Sequence, residues 1–261
     1  MGRLQEIIGF IEYDHERGVL IEPEKRFEKL RDSLLDVIKT YNPGVIVKAG
    51  LGSGRLLHEI ALNSTAYIAV VEPSMAVIHA FIESHREDEA ASRIRFINGE
   101  FNAFPVDYYA ADLLISADYL DFLESGTVVD EFRRATQFEG ILVLSGTVLH
   151  DEDLDGIYDD FMKEAFPLHN DYYLRDDLRT FMDLNEYSFI KGHMEYYPAD
   201  LAALSAHLAP FRPAASADPM HVIEEHRERL TDLYALNGTV ISEPYYIGVY
   251  TRRKPAMQQG T

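Results

Sequence analysis

Between Val45 and Ser145 the chain alternates short apolar runs with helical stretches, and that alternation limits the fold more than any other feature. Val45–Val47, Ala66–Val71, Arg95–Ile97, Leu113–Ser116 and Ile141–Ser145 read as strands, with helical segments near 55–62, 75–90 and 126–137 between them. Strand-helix-strand units of this kind build a parallel sheet with helices on both faces. Ahead of them Leu4, Ile7, Ile8 and Ile11, then Phe27, Leu30, Leu34 and Ile38, recur at helical spacing, so two amphipathic helices precede the turn Asn42-Pro43-Gly44. Beyond Ser145 a strand near Ser188–Lys191, helices near Pro198–Leu208 and His221–Leu236, and a strand at Tyr245–Thr251 are expected. The segment from His150 to Asn185, mostly helical and acidic, is long for a simple crossover and is expected to form a lid.

With 261 residues, 47% of them hydrophobic, the chain has enough material for a sizeable core. It contains no cysteine, which excludes disulfides, thiolate zinc sites and cysteine nucleophiles. A formal charge of −20 repels a phosphate backbone, so nucleic acid is not expected as a partner and a basic or neutral small molecule fits better, although acidity also serves solubility alone. No run of about 18 apolar residues occurs, and the N-terminal stretch "MGRLQEIIGFIEYDHERG" breaks its apolar face with charges, so a soluble, cytoplasmic protein without a membrane partner is expected. Oligomeric state is not legible here.

Three glycines, Gly50, Gly52 and Gly54, follow the first strand in "VIVKAGLGSG". In an open parallel sheet, ligands sit at the carboxyl ends of the strands, where the next helix points its first amides at them. The dinucleotide fingerprint fails, because Arg55 or Leu57 stands where its last glycine belongs, and no Lys-Ser or Lys-Thr pair completes a phosphate loop. The second strand ends in Glu72, about 20 residues on, where a carboxylate can accept both hydroxyls of a ribose; Glu72-Pro73-Ser74 can equally supply an acidic helix cap. The third strand leads to Gly99, Glu100 and Phe101, and the fourth ends in "ISADYLDF".

These four strand ends, in this order, resemble the class I S-adenosylmethionine-dependent methyltransferases over roughly Tyr41 to Val148. The resemblance implies a Rossmann-like, doubly wound α/β sheet of seven strands in the order 3-2-1-4-5-7-6, with N-terminal helices and a helical insertion after strand five. It implies S-adenosylmethionine as cofactor, with Gly50, Leu51, Gly52 and Gly54 against the methionyl part and Glu72 on the ribose. Pro73, Ser74 and Met75 would lie against adenine, Glu100, between the cofactor-lining Gly99 and Phe101, would face its amino group, and Ser116 and Ala117 would wall the sulfonium. Lys48 departs from the pattern, since the family usually places Asp or Glu there. Three readings are open: Lys48 turns outward, it pairs with a carboxylate such as Glu72 or with the cofactor's own, or the cofactor is altered or unused.

Methyl transfer from a sulfonium is an in-line displacement that asks for alignment and exclusion of water, with a base only where the acceptor still carries a proton. Asp118 and Tyr119 are the candidate catalytic residues, one to orient or deprotonate an amine, the other as an aromatic wall for a cation. A plain structural reading competes, in which Asp118 caps the next helix and Tyr119 packs beneath it. Ser-Ala-Asp-Tyr lacks the prolines of the Asn-Pro-Pro-Tyr segment of nucleic-acid and protein amino methyltransferases. His193, Glu195, Tyr196 and Tyr197 form a second candidate wall, against a surface loop with one packed tyrosine, and Tyr13, Asp14 and His15 are placed to close over the cofactor. Asp151, Asp153, Asp155, Gly156 and Asp159 match a calcium loop except that Met162 stands at its last position, so an acidic helix start is the preferred reading and no metal site is expected.

The expectation is one methyltransferase-like domain over 1–261: N-terminal helices 1–42, a cofactor-binding half 43–148, a helical cap 149–186, a C-terminal half 187–252 and a tail 253–261. The expected activity is S-adenosylmethionine-dependent methylation of a small molecule at nitrogen or oxygen. The alternatives are transfer of the cofactor's aminocarboxypropyl chain, or a non-catalytic cofactor-binding or regulatory protein.

Overall fold

The computed structural model describes residues 2–17 and 24–254; most of the expected tail lies outside them. Helices α1 (Arg3–Arg17) and α2 (Glu24–Tyr41) lead into strand β1 (Val45–Ala49), and α3 (Arg55–Asn63), β2 (Tyr67–Glu72), α4 (Met75–Ser84), β3 (Ile94–Asn98) and β4 (Ala111–Ala117) follow. The remaining elements are α5 (Ser125–Ala135), β5 (Thr136–Thr147), α6 (Ile157–Ala165), α7 (Arg175–Leu184), β6 (Tyr187–Asp200), α8 (Leu201–Leu208), α9 (Met220–Glu225), α10 (Arg227–Tyr234) and β7 (Val240–Arg252). The seven strands form one sheet in the order β3-β2-β1-β4-β5-β7-β6, parallel except for β7, which runs antiparallel to both neighbours. The expected strand order is thus present.

Period-two alternation distributes the sheet's side chains between two layers. Ile46, Ile68, Val70, Leu113 and Ile115 pack under α2 and α3, whereas Val47, Ala69, Val71 and Leu114 pack on the face covered by α5 and α7. The helix α2 carries Phe27, Leu30, Leu34, Val37 and Ile38 down one side, all buried, and stops where Asn42 takes a left-handed φ of 44° before Pro43. Leu34 is wholly enclosed, and truncating it to alanine would cost about 3 kcal/mol. A third cluster joins α1, α6, α8, α9 and α10 into a separate helical layer through Phe10, Phe161, Phe166, Leu208 and Ile223.

Several element bounds differ from expectation for local reasons. The strand expected at Ser188–Lys191 extends to Asp200, because β7 pairs with it from Arg252 back to Val240 across a bulge at Phe189/Lys191. Most of β6 is exposed on this edge, so its polar sequence gives no apolar run to read. Asp200 ends the strand and caps α8, accepting from the amides of Ala202 (3.1 Å) and Ala203 (3.4 Å). The helix expected over His221–Leu236 breaks at His226 into α9 and α10.

Candidate functional site

The glycines follow β1 in a left-handed turn, with φ of 70° at Gly50, 60° at Gly52 and 81° at Gly54, which stands just ahead of α3. Such values suit residues without a Cβ. The Gly50 amide donates to Val71 of the neighbouring strand (2.8 Å), and the Leu51 amide donates to Glu72 Oε2 (2.8 Å). Glu72 is fully buried, and its Oε1 accepts from the Ser74 amide (2.9 Å), while Ser74 Oγ caps α4 by accepting from the Val77 amide (3.2 Å). The carboxylate therefore holds the loop and the turn after β2 together. Burial raises its pKa, opposed by those two amides and by Lys48.

Lys48 does not turn outward. It sits two residues after Ile46 on the same face of β1, is 2% exposed, and donates from Nζ to the Gly50 carbonyl (2.6 Å). Its positive charge acts on Glu72, while the group that its Nζ meets is the Gly50 carbonyl.

Pro73 is buried beside Glu72, while Met75 is 46% exposed at the start of α4. Gly99 packs so closely on Pro105 that a Cβ would lie 2.6 Å from that ring, and Glu100 is exposed. Phe101 is buried and packs on Tyr119, ring centroids 4.7 Å apart. Ser116 is buried with an unpartnered Oγ, and Ala117 lines a cavity over the glycine loop.

That cavity measures about 370 Å³ and is walled by Lys48, Leu51, Gly52 and Ser53 below and by Phe10, Asp14 and His15 of α1 above. Tyr119 projects into the loop side of it. A Cβ on Gly50 would stand 2.0 Å from the Tyr119 ring, and the Gly52 amide donates to its hydroxyl. Burial, with Glu72 nearby, pushes the phenol well above its ordinary value. The residue expected to face an acceptor thus covers the glycines.

Asp118 takes a left-handed φ of 62°, an uncommon backbone for a residue with a side chain, and its amide donates to Ser145 (2.9 Å). Its carboxylate accepts from Arg26 of α2 and from the Tyr245 hydroxyl (3.2 Å). Arg26 lies over the Tyr245 ring at 3.9 Å and within 4.0 Å of Glu243. Burial works against the guanidinium charge, but Asp118, Tyr245 and Glu243 outweigh it and hold the arginine protonated. Asp118 lines the glycine-loop cavity and also a second one of about 340 Å³, which reaches under α6 and α8 to Tyr172, Tyr197 and His207. Phe10, Asp14 and Phe122 line both as well.

Of the second candidate wall only Tyr197 reaches this space. His193 contacts Ser33 (3.4 Å), Glu195 pairs with Lys29 (2.9 Å), and Tyr196 is 54% exposed. Tyr13 packs on His207 and Phe211, whereas Asp14 bonds His207 (3.0 Å) between the two cavities. Asp153 accepts from the amides of Ile157 (3.0 Å) and Tyr158 (3.2 Å) at the start of α6 and from the Tyr234 hydroxyl (2.7 Å), a helix-start role. Among the described residues no cluster of His, Asp and Glu suits a metal ion, and no helix is long and apolar enough to cross a membrane.

Sequence reasoning missed Arg26, Asp121, Glu243 and Tyr245. One signal for Arg26 was present: it stands four residues before Leu30, on the apolar side of α2.

No curated protein sequence matches the chain. Among solved structures, the YcgJ protein of Bacillus subtilis aligns with a TM-score of 0.71 at 13% identity, covering 86% of this chain and 98% of that one. A protein described as a methyltransferase from Bacillus halodurans aligns with 0.68 at 11% identity, covering 85% and 100%. The geranyl diphosphate C-methyltransferase of Streptomyces coelicolor, solved with geranyl diphosphate and S-adenosyl-L-homocysteine, aligns with 0.56 at 15% identity, covering 88% and 86%. These likenesses bear on the fold. Residues 47–144, from β1 through β5, match the family described as a methyltransferase domain.

Proposed function

We propose that the glycine-loop cavity receives S-adenosylmethionine and that the cavity beyond Asp118 receives a small-molecule acceptor, methylated at nitrogen or oxygen. The observation that carries this reading is the meeting of the two cavities at Phe10, Asp14, Asp118 and Phe122. A methyl group leaving a sulfonium needs an acceptor in line and little water, and two adjoining clefts that share a wall suit the alignment.

In this reading Gly50, Leu51, Gly52 and Gly54 lie against the methionyl part, Glu72 takes the ribose, and Pro73 and Met75 lie along adenine with Gly99, Glu100 and Phe101 at its far edge. Ser116, whose buried Oγ has no partner, and Ala117 wall the sulfonium. The bound cofactor supplies an electrophilic methyl group. The residues fit it on one condition, that the Tyr119 ring leaves Gly50. Asp118, with both oxygens engaged, positions the boundary between the cavities.

The acceptor cavity carries Asp14, Asp118, Asp121, Asp200 and Glu243 against Arg26 and His207, an excess of carboxylates that disfavours an anion such as the diphosphate held by the Streptomyces enzyme. Lys48 at the Gly50 carbonyl favours one further reading, transfer of the aminocarboxypropyl chain, because its ammonium can draw the cofactor's carboxylate.

Calorimetry with S-adenosylmethionine and S-adenosylhomocysteine tests cofactor binding directly, and no heat with either would overturn the proposal. Mass spectrometry of the turnover products separates the two chemistries: methylthioadenosine marks the aminocarboxypropyl reading, and S-adenosylhomocysteine marks methyl transfer.

A further inference from the structure

The inference here rests on that reading of the two cavities and concerns what the second one takes. Its cations are already matched: Arg26 serves Asp118 and Glu243, and His207 serves Asp14. Asp121, one short turn beyond Asp118 and adjacent to Phe122 at the junction, also lines the cavity. Apart from its own backbone amide, no described residue donates a hydrogen bond to its carboxyl group. Asp121 is half-buried, the charges of His169 and Arg26 act on it, and its carboxylate on the cavity wall leaves a negative site that a ligand can match.

Five aromatic rings, those of Phe10, Phe122, Phe166, Tyr172 and Tyr197, stand around the same space, with Met162, Leu204 and Leu208 beside them. Tyr197 is 5% exposed, and its hydroxyl has no hydrogen-bond partner among the described residues, which leaves a buried polar group with spare capacity. Aromatic faces accept an apolar body and attract a cation lying over them.

We propose that the acceptor is an amine carrying positive charge on an apolar or aromatic body, with Asp121 as its charge partner and as the group that takes its proton before methyl transfer. The ammonium gives one proton to the Asp121 carboxylate. The nitrogen lone pair then forms a bond to the methyl carbon as the carbon–sulfur bond breaks, and that bonding pair stays on sulfur. Nitrogen regains its positive charge, sulfur loses its own, and Asp121 returns the proton to solvent. Burial, opposed by His169 and reinforced by Asp118, lifts Asp121 to about 7, near the range where a carboxylate can accept and release a proton at neutral pH.

Calorimetry on the full chain with 2-phenylethylamine, 2-phenylethanol and 3-phenylpropionate tests the assignment. The amine should bind at least tenfold more tightly than the alcohol or the acid, and Asp121→Asn should bring amine and alcohol level, with an unchanged circular dichroism spectrum reporting that the variant is folded. Equal binding of the three by the native protein overturns the proposal without recourse to any variant, as does an amine preference that persists in Asp121→Asn. Titration with S-adenosylhomocysteine in the same samples separates the two readings. Nucleoside binding without amine preference overturns this inference alone, and amine preference without nucleoside binding overturns the methyltransferase assignment of the cavities alone.

Discussion

The Lys48 ammonium donates to the Gly50 carbonyl at 2.6 Å, so the glycine turn is braced by a cation from the strand that feeds it. The same charge acts on Glu72, on the adjacent strand and the same face of the sheet. This places a positive charge beside the space assigned to a positively charged cofactor.

Lys48→Met should therefore strengthen S-adenosylmethionine binding relative to S-adenosylhomocysteine, which lacks the sulfonium charge. A change of roughly fivefold in the ratio, about 1 kcal/mol, is expected for relief of one partly screened repulsion. Titrating both ligands into native and variant protein measures it, and an unchanged ratio would show that Lys48 does not act on the sulfonium.

The Tyr119 ring rests on Gly50, with its hydroxyl taking the Gly52 amide. Cofactor entry has to displace it, so Tyr119→Ala should tighten S-adenosylhomocysteine binding by about tenfold, because the cost of opening is removed. Tyr119→Phe, which loses only the hydrogen bond, should fall between. Weaker binding by the alanine variant would make the ring a contact for the cofactor rather than its competitor.

Arg26 neutralises two carboxylates in a buried setting. Arg26→Met leaves Asp118 and Glu243 without their cation and should destabilise the fold by about 3 kcal/mol or more, a drop in Tm on the order of 10 °C. Arg26→Lys keeps the charge but not the planar stack on Tyr245, and should lose less. Thermal scans of the three proteins give the comparison.

Asp121 also fixes a pH dependence. Its native pKa of about 7 lies above the ordinary 3.8, so between those values the folded state holds a proton that the unfolded state has lost. Its contribution to stability is full below about pH 4 and is lost as the pH rises towards 7, by about 4 kcal/mol at most. Asp121→Asn, which never ionises, should gain stability over the native protein at pH 8, and the gain should shrink by pH 5. Denaturant melts at both values check the sign.

The alternation of strands with helices and the glycine turn were legible because they rest on local pattern: alternating runs, glycines at a strand end, and a carboxylate at the next; the strand order followed only from the family resemblance that those residues carry. The orientation of Lys48 stayed open in the sequence, because a strand buried on both faces has no outward side for alternation to mark, and its neighbours are set by tertiary packing. Asp14, Arg26, Asp118 and Glu243 carry no common motif. They lie far apart in the sequence and meet only through tertiary packing, and a pattern read along the chain has no term for such a meeting. The length of β6 was hidden for another reason, because an edge strand held by pairing shows little apolar alternation.

The placement of β7 between β5 and β6 carries a kinetic consequence. Tyr245 and Glu243, which fix Arg26 and Asp118, arrive on this strand, more than 200 residues after α2. Closure of so long a loop is slow and entropically costly. On the ribosome, the sheet up to β5 can assemble while the junction between the cavities is still open, and only insertion of the last strand completes it. A chain halted before Val240 would accordingly carry the glycine turn without the wall that joins donor to acceptor.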